Sequence, residues 1–171
     1  MIRGLMVVLA LVCAASVSSL GAAAKTRATT EEQINYSGFQ ALAVEVHAYR
    51  ATRLVPLAKF QTMAHQPDTI ILDARSAAAF AQGHIEGALN LSLTDFTAPA
   101  LAAAIKNPNT RILIYCNNNF ENNKAPVVLK SAPLSLNIQT FINLYGYGYR
   151  NVYELGEVVN FDDPAVRWVR G

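Results

Sequence analysis

The run Arg111-Ile-Leu-Ile-Tyr115 constrains this chain more than any other stretch. Its three central residues leave neither face of a strand polar. A strand apolar on both faces belongs in the middle of a covered sheet, which is the habit of parallel sheets. Parallel neighbours need long crossovers, most often helices. The run therefore predicts an α/β fold.

The rest of the chain alternates accordingly. Phe39, Leu42, Val46 and Tyr49 recur at helical spacing and predict an amphipathic helix from about Asn35 to Arg53. Leu54 and Val55 form a short edge strand, ended by Pro56, which has no amide to donate. A short helix over Leu57 to Ala64 and a turn at Pro67-Asp68 come next. Thr69 to Leu72 is an apolar strand ending at Asp73, and Ser76 to Gln82 a helix stopped by Gly83. Ala88 to Leu91 is a strand, and Asp95 to Ile105 a helix interrupted or restarted at Pro99. Residues 125 to 145 are predominantly helical in pattern, divided by Pro133. After a turn at Gly146 and Gly148, Asn151 to Leu155 is the last strand. Phe161, Val166 and Trp168 pack the tail back on the body.

The first 24 residues read as a signal peptide. Arg3 gives the positive start, Leu5 to Leu20 the apolar core, and Ala22 and Ala24 a small-residue cleavage site. A membrane span needs about 20 predominantly apolar residues, and Ser16, Ser18 and Ser19 soften this one. No later stretch is long and apolar enough, so the mature chain is expected to carry no membrane span. Residues 25 to 34 form a polar leader. Cleavage would remove Cys13 and leave Cys116 as the lone cysteine of an exported, periplasmic protein. A lone cysteine in an oxidising compartment makes no internal disulfide.

Charge excludes little but points away from nucleic acid. Without Arg3, the 14 basic and 12 acidic residues leave a formal excess of one, scattered along the chain. Phosphate-loop, dinucleotide, EF-hand and zinc spacings are absent. No cofactor and no metal are expected.

In an open parallel sheet, ligands sit beyond the C-terminal strand ends. Two such ends carry chemistry: Asp73-Ala74-Arg75, and the loop that starts at Cys116. Together they predict one shared site. The loop reads Cys-Asn-Asn-Asn-Phe-Glu-Asn-Asn-Lys over residues 116 to 124. Asparagine is the best non-glycine residue for positive backbone dihedrals and bonds locally to the backbone. Asn117, Asn118, Asn119, Asn122 and Asn123 can therefore curve a loop around a thiol, or simply build a turn. Thiol chemistry needs thiolate, favoured by amides, a helix N-terminus or a cation. Lys124 is the nearest cation in sequence. Glu121 opposes ionisation if it turns inward and is expected to face solvent.

Three segments resemble the rhodanese-like superfamily: ILDARSAAAFAQGHIEGALNL at 71 to 91, ILIYC at 112 to 116, and YGYRNVYEL at 147 to 155. The chain is also similar to an exported bacterial subset with a long YCNNNF loop. The resemblance implies a single domain, residues 35 to 171, with a central parallel sheet flanked by helices and an N-terminal helical extension. It implies that Cys116 matches the cysteine that carries a persulfide in catalytic members. It implies framing roles for Asp73, Arg75, Gly83, His84 and Gly87. The chain departs from the family pattern in having no glycine or arginine from Asn117 to Lys130, and Ala79 where an acidic partner for Arg75 is usual. The missing arginine argues against phosphatase chemistry, which wants a guanidinium fork.

These residues are compatible with two functions. In the first, Cys116 takes a sulfane sulfur and passes it to a thiol, with Asn117, Asn118, Asn119, Phe120, Asn122, Asn123, Lys124, Asp73 and Arg75 lining the substrate site. The partner is then a small sulfur donor or a thiol-bearing protein. In the second, the domain is a non-catalytic binding module of the cell envelope, its asparagines reading a neutral or peptide-like ligand.

Overall fold

The structure, a computed structural model, describes residues 33–170. The signal peptide expected over residues 1–24, and all but the last two residues of the polar leader, lie outside them. The chain divides into two units, Met1–Ile34 and Asn35–Gly171, and the described strands and helices belong to the second.

Five strands build one parallel sheet: β1 (Leu54–Val55), β2 (Thr69–Asp73), β4 (Ala88–Asn90), β5 (Arg111–Tyr115) and β6 (Val152–Leu155). Their spatial order is β1-β6-β5-β2-β4, so β5 sits in the middle. Thr69 pairs with Arg111 and Asp73 with Tyr115, which brings these two strand ends level. A two-residue antiparallel pair, β3 (His84–Ile85) with β7 (Trp168–Val169), ties the tail to the body.

Side chains alternate across the sheet with period two. Leu72, Ile112, Ile114 and Val152 face one layer, built from α1 (Tyr36–Ala51), α4 (Ala98–Ile105) and α5 (Leu136–Gly146). Ile71, Leu113, Tyr115 and Leu155 face the other, where α2 (Leu57–Ala64) contributes Phe60 and Met63 and the tail contributes Phe161 and Val166. Both faces are thus covered, and β5 is buried from Ile112 to Tyr115.

Helix boundaries obey local chemistry. Asn35 caps α1 by accepting the Gly38 amide at 2.7 Å. Ser76 caps α3 (Ala77–Gln82) in the same way, and Thr97 caps α4. Pro99 does not interrupt a helix begun at Asp95. The helix starts at Ala98, so the proline stands in its first turn, where no amide is required.

Residues 125 to 131 correct the expected helix. They run without regular structure, and α5 begins only at Leu136. Asparagines of the preceding loop hold their backbone instead. Asn117 donates to the Val128 carbonyl at 2.7 Å, and Asn118 to that of Lys130 at 2.7 Å. Asn123 accepts from the Leu129 amide at 3.1 Å, and Asn118 from that of Lys130 at 3.2 Å. An amide or carbonyl held this way is drawn away from helical bonding.

Candidate functional site

Asp73 and Tyr115 end neighbouring strands and point to the same face, so they meet. Arg75 lies across the Asp73 carboxylate, with Nη2 at 2.6 Å and Nε at 3.0 and 3.1 Å from its oxygens. The Tyr115 phenol donates to Asp73 Oδ2 at 2.5 Å and accepts the Ile85 amide at 3.1 Å. Arg75 also donates to the carbonyls of Gly83 and Pro126. The arginine therefore finds in Asp73 the carboxylate that Ala79 does not supply. Burial works against the Arg75 charge, but hydrogen bonding to Asp73 and its charge outweigh this and raise its pKa. Burial first, then the Asp73 charge, hold the Tyr115 phenol well above its ordinary pKa, so it stays a donor. Such a closed, buried ion pair ties β2, β5 and the His84 turn together. His84 accompanies it structurally, stacked on Phe80 with Nδ1 at 2.9 Å from the Phe80 carbonyl.

Cys116 is one residue further along β5, and the alternation sends it to the opposite face. Its backbone remains extended, at φ −146° and ψ −175°. The thiol, 1% exposed, lines a cavity of about 150 Å³ together with Arg50 of α1, Asn137 of α5, and Glu154 of β6. Its Sγ lies 3.6 Å from Ser135 Oγ, at the N-terminus of α5. The single shared site expected from the two strand ends is thus divided by the sheet. Asp73 and Arg75 frame one side, and Cys116 opens on the other.

The loop asparagines fasten rather than line. Asn117 to Asn119 form a single 3-10 turn. Asn119 accepts the Cys116 amide at 2.9 Å and donates to the carbonyls of Leu155 and Glu157 at 2.8 and 3.1 Å. The Asn119 and Phe120 amides close the turn on the carbonyls of Cys116 and Asn117. Asn122 bonds Asn160 and the Phe161 amide. Asn123 takes the positive φ, 41°, that an asparagine tolerates. Phe120, expected at the substrate, is fully buried against Tyr115, Phe161 and Trp168. Lys124, expected beside the thiol, is exposed, 3.7 Å from Asp162. Glu121 is exposed and accepts from Asn160. Of the loop, Asn118 and Asn119 reach the Cys116 cavity. Asn117 and Arg75 line a different one, of about 380 Å³, with Ser92, Thr94 and Lys130.

The cation at the thiol is Arg50. Its Nε and Nη2 each lie 2.5 Å from a Glu154 carboxylate oxygen. Hydrogen bonding to Glu154 is the largest influence on Arg50 and raises its pKa, against burial, with smaller help from the charges of Glu154 and Cys116. Asn137 donates to Asn119 Oδ1 at 2.9 Å and to Glu154 Oε1 at 3.1 Å. A polar chain thus runs from Arg50 through Glu154, Asn137 and Asn119 to the Cys116 amide. Sequence reasoning missed Arg50, Ser135, Asn137 and Glu154. One signal was present: Glu154 is a carboxylate at an inward position of an otherwise apolar strand end, and such a group needs a partner. Among the described residues, no cluster of His, Cys, Asp and Glu is suited to a metal. No described helix is long and apolar enough to cross a membrane.

The family model described as "Rhodanese-like domain" matches residues 57–157. Among solved structures, the chain is similar to a rhodanese from E. coli determined with anions. That match has 22% identity over 60% of this chain and 99% of that one, at a TM-score of 0.41. A Bacillus halodurans protein matches at 16% identity over 68% and 74% of the two chains, TM-score 0.47. A thiosulfate sulfurtransferase from Pseudomonas aeruginosa matches at 18% identity over 72% of this chain and 21% of that one, TM-score 0.45. Among curated proteins there is no match.

Proposed function

This chain belongs to the rhodanese-like domain family, and from that premise we propose that Cys116 is a persulfide-forming nucleophile of a sulfur-transfer reaction. One observation carries the reading. The Cys116 thiol stands at the N-terminus of α5, beside Ser135, on the wall of a cavity that also holds the Arg50 guanidinium. Thiolate is the nucleophilic form in such chemistry. It attacks the outer sulfur of a sulfane-sulfur donor. The donor leaves with the electron pair of the broken bond, and Cys116 carries the added sulfur. An acceptor thiolate then attacks that sulfur and restores Cys116. The amides of the 3-10 turn have small parts here, because Asn119 and the turn's own carbonyls already hold several of them.

The apolar stretch from Leu5 to Leu20, read as a signal peptide, supports placing this chemistry outside the cytoplasm, in the periplasm, where a lone thiol persists if it is sheltered. The 1% exposure of Cys116 is such shelter. The same exposure favours a second reading, a non-catalytic module in which the thiol is a small apolar residue of the wall. Intact mass separates the two. Incubated with a sulfane-sulfur donor, the folded protein should gain one sulfur atom, and Cys116→Ser should gain none. Equal gain by both proteins would end the assignment to Cys116. Absence of any gain, with alkylation of Cys116 only after unfolding, would favour the module.

A further inference from the structure

Ser135 occupies the N-cap of α5 but does not cap it. In α1, α3 and α4 the N-cap side chain accepts a first-turn amide, as such residues ordinarily do. In α5 the Ser135 side chain accepts none. Its Oγ lies 3.6 Å from Cys116 Sγ, and that sulfur is its one hydrogen-bond partner among the described residues. The hydroxyl is turned from the helix to the sulfur.

The state of the sulfur decides which atom donates. In a thiol either the S–H or the O–H can do so. The inner sulfur of a persulfide carries no proton, so there only the Ser135 hydroxyl can donate.

During sulfur transfer, charge moves at this atom in opposite senses in the two half-reactions. In loading, Sγ is the nucleophile. It gives up negative charge to the new sulfur–sulfur bond, and a hydrogen bond to it weakens on the way. In discharge, an acceptor thiolate attacks the outer sulfur, the sulfur–sulfur bond breaks, and Sγ departs with the electron pair. The acceptor leaves as a persulfide, and no external oxidant is needed. Negative charge now grows on Sγ, and a hydrogen bond to it strengthens. An interaction accelerates a step only if it strengthens toward the transition state.

We infer that Ser135 is a catalytic residue of discharge, its hydroxyl donating to Cys116 Sγ as that sulfur becomes the leaving group. The inference rests on the reading of Cys116 as the persulfide carrier, and adds the group that helps it release the sulfur. Loading receives no such help.

The test times each half-reaction separately in the folded full chain, by intact mass, with Cys116→Ser as the blank. Thiosulfate loads the protein. After the donor is removed, glutathione discharges it, and the loss of one sulfur atom is followed. Ser135→Ala should discharge about tenfold more slowly, the worth of one hydrogen bond to a charged group, while loading is not slowed. Because the side chain caps no amide, this variant should keep the far-UV spectrum and thermal midpoint of the parent. Ser135→Thr retains a hydroxyl on the same carbon and should restore most of the discharge rate.

Equal discharge by Ser135→Ala and the parent would overturn the inference and leave sulfur transfer standing. Equal slowing of loading and discharge would also overturn it, since that marks a role in packing alone. Selective slowing that Ser135→Thr does not relieve would take the effect away from the hydroxyl. If the parent gains no sulfur at Cys116, sulfur transfer itself falls, and the discharge step with it.

Discussion

Tyr115 donates to a carboxylate in a fully covered environment, and this makes its proton part of the fold. Its pKa in the folded chain is raised well above the ordinary value, while in the unfolded chain it ionises near pH 10. Above that pH the unfolded state has released the proton and the native state has not, so stability falls as pH rises. Urea denaturation between about pH 8 and 11 should show a decline that is shallower in Tyr115→Phe. At neutral pH the same variant leaves a buried carboxylate one donor short and should cost about 1–3 kcal/mol. Gly83 is a second residue whose identity is fixed by space. A Cβ there would come within 2.4 Å of Trp168 Nε1. Gly83→Ala should lower the thermal midpoint, by an amount matching about 1–3 kcal/mol of overpacking. Of the residues around the thiol, the sequence marks Cys116 by its place after a buried strand. Arg50, Ser135 and Asn137 carry no such mark. They reach the cavity through the packing of helices distant in the chain, which no local pattern encodes.

At the scale of elements, strands and helices were legible where hydrophobic periodicity or a cap acted alone. The run at Arg111–Tyr115 is the central strand, and Gly83 ends α3. The segment after the asparagine loop was not legible, because side chains, not backbone pattern, decide its path. Asn118 holds Lys130 as a strand neighbour would, accepting its amide and donating to its carbonyl. Asn118→Ala should therefore speed hydrogen exchange at the Lys130 amide while leaving β5 amides protected. Both bonds are exposed, so the loss of stability should stay near about 1–2 kcal/mol for the pair. An unchanged Lys130 rate would show that the segment keeps its course without the asparagine. The short β3–β7 pair was likewise unread, since two residues make no pattern, although the expected return of Trp168 to the body is met through it.

Across the whole molecule, one tie between α1 and the sheet is ionic, the Arg50–Glu154 pair. Arg50 stands outside the family-matched residues 57–157 and Glu154 inside them. The Glu154 side chain is 5% exposed and that of Arg50 32%, so removing the arginine strands a buried charge. Breaking a buried pair costs about 3–5 kcal/mol. The partial exposure of Arg50 brings the expectation for Arg50→Met to about 2–3 kcal/mol. Arg50→Met/Glu154→Gln should recover part of that loss in urea denaturation, a coupling that additive variants would not show.

The alternation that parts Tyr115 from Cys116 also parts two kinds of selection. A combinatorial library confined to Arg50, Ser135, Asn137 and Glu157 would vary the thiol's surroundings and leave the Asp73–Arg75–Tyr115 cluster untouched behind the sheet. Such a domain can change its chemistry on one side while its scaffold is inherited intact on the other.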